Sequence, residues 1–459
     1  MSERRLDQQT KDVVKAAWKG LIQRYQKDPQ TDEYHWTDNE GDVGFLKDVD
    51  ALNALIEPFL LSPNSFIDPP MKLEELSTRF ENLLKQFPAE QLEEESEIVG
   101  EPLPKFRGFS PAPYPYVQLE VDFVDSAATV LRLICNMSRL FNVQKQGIPK
   151  ALEKSMANVS RSSVAFLLEA RIEDKTGVRW SAFGRQVETS EKYANLFFTN
   201  CAAIALHNAL EAPTVKTWIA QSRELIESIL NKVVSWVSAQ YYPETNAFWM
   251  DEAQTQIQTM GVYYALEIIY TVTEVIPEQL RENSAKALLA VVEKMTETAK
   301  ASALQRDFFH TLPLPSGTGV TFYDDRKYIG AFLSLFTLAK TKDPNIVENT
   351  AFLQAGNVLY LGVSDEWIDE STNLWDDGRP LICFSQDALV GLVSYAIEGK
   401  VDSINLSEFD LRFAVRDTLK SEEVIDAIFS VLLEKARNRK DKELSNTITN
   451  SAAKAESKK

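Results

Sequence analysis

The sequence predicts an all-α fold, an (α/α)6-toroid of about six helical hairpins, and three observations predict it. The 459 residues include only 17 glycines and 19 prolines, which suits long helices better than a turn-rich β protein. Six apolar segments with a small residue near their start recur along the chain. Between them lie helices with one apolar and one polar face. A chain of this length exceeds one ordinary hydrophobic core, so it forms several domains or one large closed architecture.

The first residues, Met1 to Arg5, lead into a polar amphipathic helix without the apolar centre of a secretory leader. The small residues of the six apolar segments are Ala51, Ala127, Ala194, Gly261, Gly330 and Ala388, spaced 58 to 76 positions apart. The helices between them run from Leu73 to Phe87, Ala151 to Arg171, Val215 to Tyr241, Glu278 to Thr298 and Asn345 to Tyr360. In the third of these, Ile219, Leu225, Ile226, Ile229, Leu230, Val233, Val234 and Val237 repeat with a helical period, while Gln221, Arg223, Glu224, Glu227 and Lys232 occupy the other face. The six segments themselves show little polar face. A helix that is apolar nearly all round is buried nearly all round. One buried helix alternating with one half-exposed helix is what the inner and outer rings of a closed α/α barrel require. An open solenoid uses the same pairs and is the competing architecture.

Two stretches stand outside the pattern. Residues 88 to 118 are acidic and then proline-rich, and read as an insertion loop. Residues 438 to 459 carry few large apolar side chains and read as a disordered charged tail, leaving 1 to 437 as a single toroid.

The formal charge of −18 repels phosphate backbones and argues against nucleic acid as the main partner. No stretch approaches a transmembrane helix. Cys135, Cys201 and Cys383 are far apart and read as buried free thiols. Together with the N-terminus, these features place the chain in the cytoplasm.

Each apolar segment follows an aromatic residue: Trp36, Tyr114 or Tyr116, Trp180, Trp249, Phe322 with Tyr323, and Trp375. Acids follow the aromatics, among them Asp122, Asp125, Glu191, Asp251, Asp324, Asp325, Asp376 and Asp377. In a toroid these loops converge on one rim, which is then aromatic and acidic. Trp36, Tyr116, Trp180, Trp249, Tyr323, Trp375, Glu191 and Asp251 are the candidate ligand-binding residues on that rim.

Tryptophan, a short polar linker and a buried helix opening with a small residue resemble the repeat of terpenoid cyclase and protein prenyltransferase toroids. Val237-Ser238-Ala239-Gln240, ending at Trp249, is similar to the Gln…Trp repeat of triterpene cyclases, and Leu167 to Arg171, ending at Trp180, is a weaker copy. The resemblance covers about residues 30 to 400. It implies class II cyclase chemistry at Asp122-Phe123-Val124-Asp125-Ser126-Ala127, but Val124 stands where the family's proton-donating acid belongs. Class I chemistry is incomplete at Asp324-Asp325-Arg326-Lys327-Tyr328 and at Asp376-Asp377-Gly378. The histidines His35, His207 and His310 have no cysteine or acid at a zinc-binding spacing.

The candidate catalytic acids are Asp122, Asp125, Asp324, Asp325, Asp376 and Asp377, and no metal or cofactor is expected. Three functions compete. The first is a non-catalytic or catalytically degenerate toroid that binds a protein partner or a small apolar or sugar ligand through its rim. The second is a glycoside hydrolase or lyase using paired carboxylates, and the third is a cyclase relative with altered chemistry. The degenerate motifs put the first ahead.

Overall fold

The computed structural model describes residues 6–27, 34–37, 45–66, 69–85, 124–182, 194–255, 257, 259–305, 312–313, 319–320, 329–343, 346, 352, 356, 360, 363–364, 372–375 and 382–399. The chain alternates outer and inner helices. Outer α1 (Gln8–Gln23) precedes inner α2 (Phe45–Leu61), and α3 (Leu73–Lys85) precedes α4 (Val124–Val143). Outer α5 (Lys150–Ala170) precedes inner α6 (Leu196–Glu211). Next come the short α7 (Val215–Trp218), outer α8 (Arg223–Ala239) and inner α9 (Thr259–Val272). Outer α10 (Glu278–Gln305) precedes inner α11 (Ile329–Lys342), and α12 (Ile382–Ser394) is the sixth inner helix. Residues 346, 352, 356 and 360 are helical and lie in the expected last outer helix.

The inner helices close on themselves. Each packs against the next, α2 on α4, α4 on α6, α6 on α9, α9 on α11 and α11 on α12, and α12 returns to pack on α2. That closure distinguishes the toroid from an open stack. The expected insertion at 88 to 118, the tail from 438 and the domain limit at 437 lie outside the described residues.

Small residues set the spacing of the ring. Ala51, Ala127, Ala194 and Ala388 are buried, as are Gly261 and Gly330. At the α11–α12 seam a Cβ on Gly330 would lie 2.3 Å from the Ala388 Cα, and one on Gly391 would lie 1.9 Å from the Gly330 carbonyl oxygen. The two backbones touch because neither position carries a side chain.

Helix α2 contains Pro58. Proline has no N–H to return to the carbonyl four residues back, which is that of Ala54. The Trp18 indole of α1 donates to that carbonyl instead, at 3.2 Å. An outer helix thereby satisfies a backbone group that an inner helix leaves open.

Four antiparallel hairpins occupy linkers between outer and inner helices: β1 (Tyr25–Lys27) with β2 (Tyr34–Trp36), β3 (Ile172–Asp174) with β4 (Gly177–Arg179), β5 (Tyr241–Tyr242) with β6 (Ala247–Phe248), and β7 (Leu312–Pro313) with β8 (Gly319–Val320). Of the expected rim tryptophans, Trp36 ends and Trp180 follows such a hairpin, and these two and Trp375 turn inward. Trp36, Trp180 and Trp375 are 1%, 0% and 4% exposed. Their indole nitrogens donate to the carbonyls of Leu21 at 3.0 Å, Leu167 at 2.7 Å and Val363 at 2.8 Å. Leu21 and Leu167 lie in the last turns of α1 and α5, where carbonyls lack intrahelical donors. The indoles of Trp36 and Trp180 therefore fasten their linkers to α1 and α5, and all three rings are buried rather than exposed on a rim. In the Gln…Trp pair the bond is a main-chain one: the Trp249 backbone N–H donates to the Gln240 backbone carbonyl at 2.9 Å, next to the β5–β6 pairing.

Candidate active site at the centre of the ring

Charged residues gather on the inward faces of the inner helices. On α2, Asp50, Asn53 and Glu57 fall at i, i+3 and i+7, one helical face. On α4, Asp125, Arg132, Asn136 and Arg139 share a face in the same way. Helix α6 adds Asn200 and Cys201, α9 adds Tyr263 and Glu267, and α12 adds Gln386 and Asp387.

Glu57 and Arg132 form the fixed part. Arg132 Nε donates to Glu57 Oε1 at 2.5 Å, and its Nη2 donates to Oε2 at 2.9 Å. Asn136 donates to Oε1 at 2.7 Å and Gln386 to Oε2 at 3.0 Å. Four donors from α4 and α12 thus hold one carboxylate of α2. Bidentate guanidinium–carboxylate pairing supplies both strength and orientation. Asn136 also donates to Asn53 at 3.0 Å. On the facing side, Asn200 donates to Glu267 at 2.8 Å and to the Tyr264 carbonyl at 3.2 Å, and Tyr263 is hydrogen-bonded to Glu267.

Asp50, Asp125, Arg132, Glu267 and Asp387 are each half-buried. They act on one another from α2, α4, α9 and α12, so their remaining accessible surface faces the interior of the ring. The electrostatics follow from that crowding. Burial, then repulsion from Asp387, pushes the Asp50 carboxyl up to about 8; Asp125 and Glu57 add to the rise and Arg132 opposes it. Burial pushes Asp387 up to about 7, with Arg132 pulling down against Glu267 and Glu57. Burial also raises Asp125 and Glu267. It drives the Cys201 thiol well up, with the Asp125 and Glu267 charges adding to it. Burial works against the charge of Arg132, but Glu57, Glu267 and Asp387 outweigh it and keep the guanidinium protonated. Two interacting carboxyls in a poorly solvated space cannot both ionise readily. Around neutral pH this pair therefore offers one protonated and one ionising carboxyl, as acid–base chemistry requires.

Of the six candidate catalytic acids, Asp125 reaches this centre; Asp122, Asp324, Asp325, Asp376 and Asp377 lie outside the described residues. Tyr116, Tyr323 and Glu191 lie outside them as well. Trp249 is half-buried with its ring 4.9 Å from Tyr242, and Asp251 accepts from the Thr255 N–H at 2.8 Å. Both belong to the linker between α8 and α9. Asp50, Arg132, Glu267 and Asp387 are absent from the sequence-based candidates. The signal for them was polar residues at helical spacing inside the apolar segments. A face that is inward in a toroid borders an opening, so it is not obliged to be apolar. Among the described residues no group of three or more His, Cys, Asp or Glu is arranged to hold a metal ion, and no helix is long and apolar enough to cross a membrane.

No protein-family model matches the chain, and no curated protein matches it. Solved structures do. An α-1,6-mannanase of Salegentibacter sp. HEL1_6, in an inactive variant bound to α-1,6-mannotetrose, is 13% identical with a TM-score of 0.52, covering 84% of this chain and 98% of that one. A D-mannose isomerase is 10% identical with a TM-score of 0.56, covering 86% and 99%. A cellobiose 2-epimerase of Spirochaeta thermophila is 9% identical with a TM-score of 0.55, covering 84% and 96%. These neighbours are carbohydrate-processing enzymes and not terpenoid cyclases. They overturn the expectation of a non-catalytic interaction toroid. That expectation rested on degenerate motifs in the rim loops, whereas the acids that meet lie deeper, on the inner helices. The likeness itself establishes the fold: the chain is an α/α toroid.

Proposed function

We propose that the protein is a carbohydrate-processing enzyme, and that glycoside hydrolysis by the carboxyls at the ring's centre is its reaction. One observation carries this reading: α2 packs on α12, and Asp50 and Asp387 on these helices interact electrostatically with each other and with Arg132, both with raised proton affinity. The sugar-enzyme neighbours on the same fold support it. In this mechanism Asp50 donates its proton to the glycosidic oxygen as the bond to the anomeric carbon breaks. Asp387, kept ionisable by Arg132, takes the proton of the water whose oxygen bonds to that carbon. A terpenoid cyclase would instead place an isolated acid in an aromatic-lined cavity, whereas several acids share this centre. The free thiols of Cys135 and Cys201 fit a reducing compartment, and the cytoplasm is part of the proposal.

The test is reducing-sugar release from a panel of α- and β-linked manno- and gluco-oligosaccharides. Wild type is expected to cleave at least one. Asp50→Asn and Asp387→Asn are each expected to lower kcat by about 100-fold or more. Interconversion of free mannose, fructose and glucose without any cleavage would replace hydrolysis by isomerisation. Unchanged kcat in both variants sinks the assignment of the pair.

A further inference from the structure

The two halves of the ring differ in chemistry. Asp50, Asp125 and Asp387 come from α12, α2 and α4, which are consecutive in the ring. The opposite arc, α6, α9 and α11, carries aromatic side chains in mutual contact. Phe197 lies 5.4 Å from Tyr264, Tyr264 lies 5.4 Å from Tyr263, and Tyr263 lies 5.7 Å from Phe332. Phe332 is fully buried behind them, while Phe197, Tyr263 and Tyr264 are half-buried.

Their height in the ring is set by sequence. Phe197 precedes Asn200 by three residues and Cys201 by four, and Tyr263 precedes Glu267 by four. Residues at these spacings share a helical face, one turn or about 5.4 Å apart. The aromatic arc therefore sits one turn above the Asn200–Glu267 pair, toward the helix N-termini where the hairpins enter. The aromatic arc and the carboxyl arc occupy opposite sides of the ring of inner helices.

A pyranose suits this arrangement. One face of the ring presents C–H bonds that pack on an aromatic face, and its hydroxyls and ring oxygen require hydrogen-bonding partners. We propose that Phe197 and Tyr264 form a stacking platform for a pyranose ring whose polar edge is turned toward Asp50, Asp125 and Asp387. Tyr263, hydrogen-bonded to Glu267, backs the platform and fixes its tilt. The inference rests on the carbohydrate reading and names the surface that holds the sugar.

Calorimetric titration of the full chain with mannose and glucose oligomers of one to four units tests it, beside ultraviolet difference absorbance of the aromatic side chains. Wild type is expected to bind at least one oligomer with a perturbed tyrosine spectrum. Phe197→Ala and Tyr264→Ala are each expected to weaken binding about tenfold, and Phe197→Tyr and Tyr264→Phe to stay within threefold. Phe197→Leu keeps the volume without an aromatic face and serves if the alanine variant does not fold; it is expected to weaken binding as well. Binding by wild type that neither Phe197→Leu nor Tyr264→Ala weakens overturns the platform alone. Failure of every saccharide to bind wild type overturns the carbohydrate reading and the platform with it. Binding of tetramethylammonium without any saccharide overturns both in favour of a cation site.

Discussion

Arg132 of α4 grips Glu57 of α2 through two parallel hydrogen bonds, and Glu57 is the residue immediately before Pro58. The grip crosses between adjacent inner helices at the charged centre. It also supplies the cation that acts on Asp50, Asp387 and Glu267.

Breaking that pair from one side leaves a poorly solvated charge alone. Glu57→Gln is expected to destabilise the protein by about 3 kcal/mol. Adding Arg132→Met to it recovers part of the loss, because the orphaned guanidinium is then gone. Chemical denaturation of the two single variants and the double variant measures the coupling. Additive losses would mean that the pair contributes nothing as a pair.

The acid pair makes stability fall as pH rises. An ordinary aspartyl group titrates near 4 in the unfolded chain, whereas Asp387 and Asp50 hold their protons up to about 7 and about 8. Between these limits the folded state binds more protons than the unfolded state, so this contribution to ΔG of unfolding decreases with pH. Asp50→Asn and Asp387→Asn are expected to raise stability at pH 8 by about 1–3 kcal/mol and to have much smaller effects at pH 4. Denaturation midpoints at the two pH values check the sign. Such a gain would mark the carboxyls as groups kept for function at a cost in stability.

Trp180 discriminates fastening from recognition. Trp180→Ala is expected to cost about 3–5 kcal/mol for the lost ring. Trp180→Phe is expected to cost about 1–3 kcal/mol, chiefly because the Leu167 carbonyl loses its donor. At temperatures where the phenylalanine variant remains folded, sugar affinity should be unchanged. A large loss of affinity there would show that the indole serves the ligand after all.

Trp18 and Pro58 make a second cycle. Trp18→Phe leaves the Ala54 carbonyl without its indole donor and is expected to cost about 1–3 kcal/mol. In a Pro58→Ala background the helix recovers an N–H for that carbonyl, so the same change is expected to cost measurably less. Equal costs in both backgrounds would show that the indole is held by packing on Phe66, 4.8 Å away, rather than by the carbonyl.

Widening the α11–α12 seam should act on the whole ring. Gly391→Ala drives a methyl group into the Gly330 carbonyl, and the expected cost is about 1–3 kcal/mol or more. Thermal unfolding reads the loss, and an unchanged midpoint would mean that the two helices are free to separate.

The ring was legible from residues with a strong periodic signal. The small residues at 51, 127, 194, 261, 330 and 388 pointed to closely packed inner helices, and the tryptophans at 36, 180 and 375 marked the linkers. Their roles were less legible. A tryptophan beside acids looks the same in sequence whether its indole meets a ligand or an outer-helix carbonyl. The centre was hidden for a related reason. Asp50 and Asp387 each stand directly before the small residue of an apolar segment, Ala51 and Ala388, and only ring closure packs their helices together. Glu57, Arg132 and Glu267 lie on three different helices, so they form no motif within any single segment.

Asp50 lies on the first inner helix and Asp387 on the last, and the two meet because α12 packs on α2. During synthesis the nascent chain carries one member of the pair long before the other leaves the ribosome. The pair therefore comes together only when the circle is completed. Long-range pairing of this kind also leaves α2 with an uncovered flank until α12 has been made, where it is exposed to misassociation. A product truncated before α12 would leave that flank of α2 permanently open.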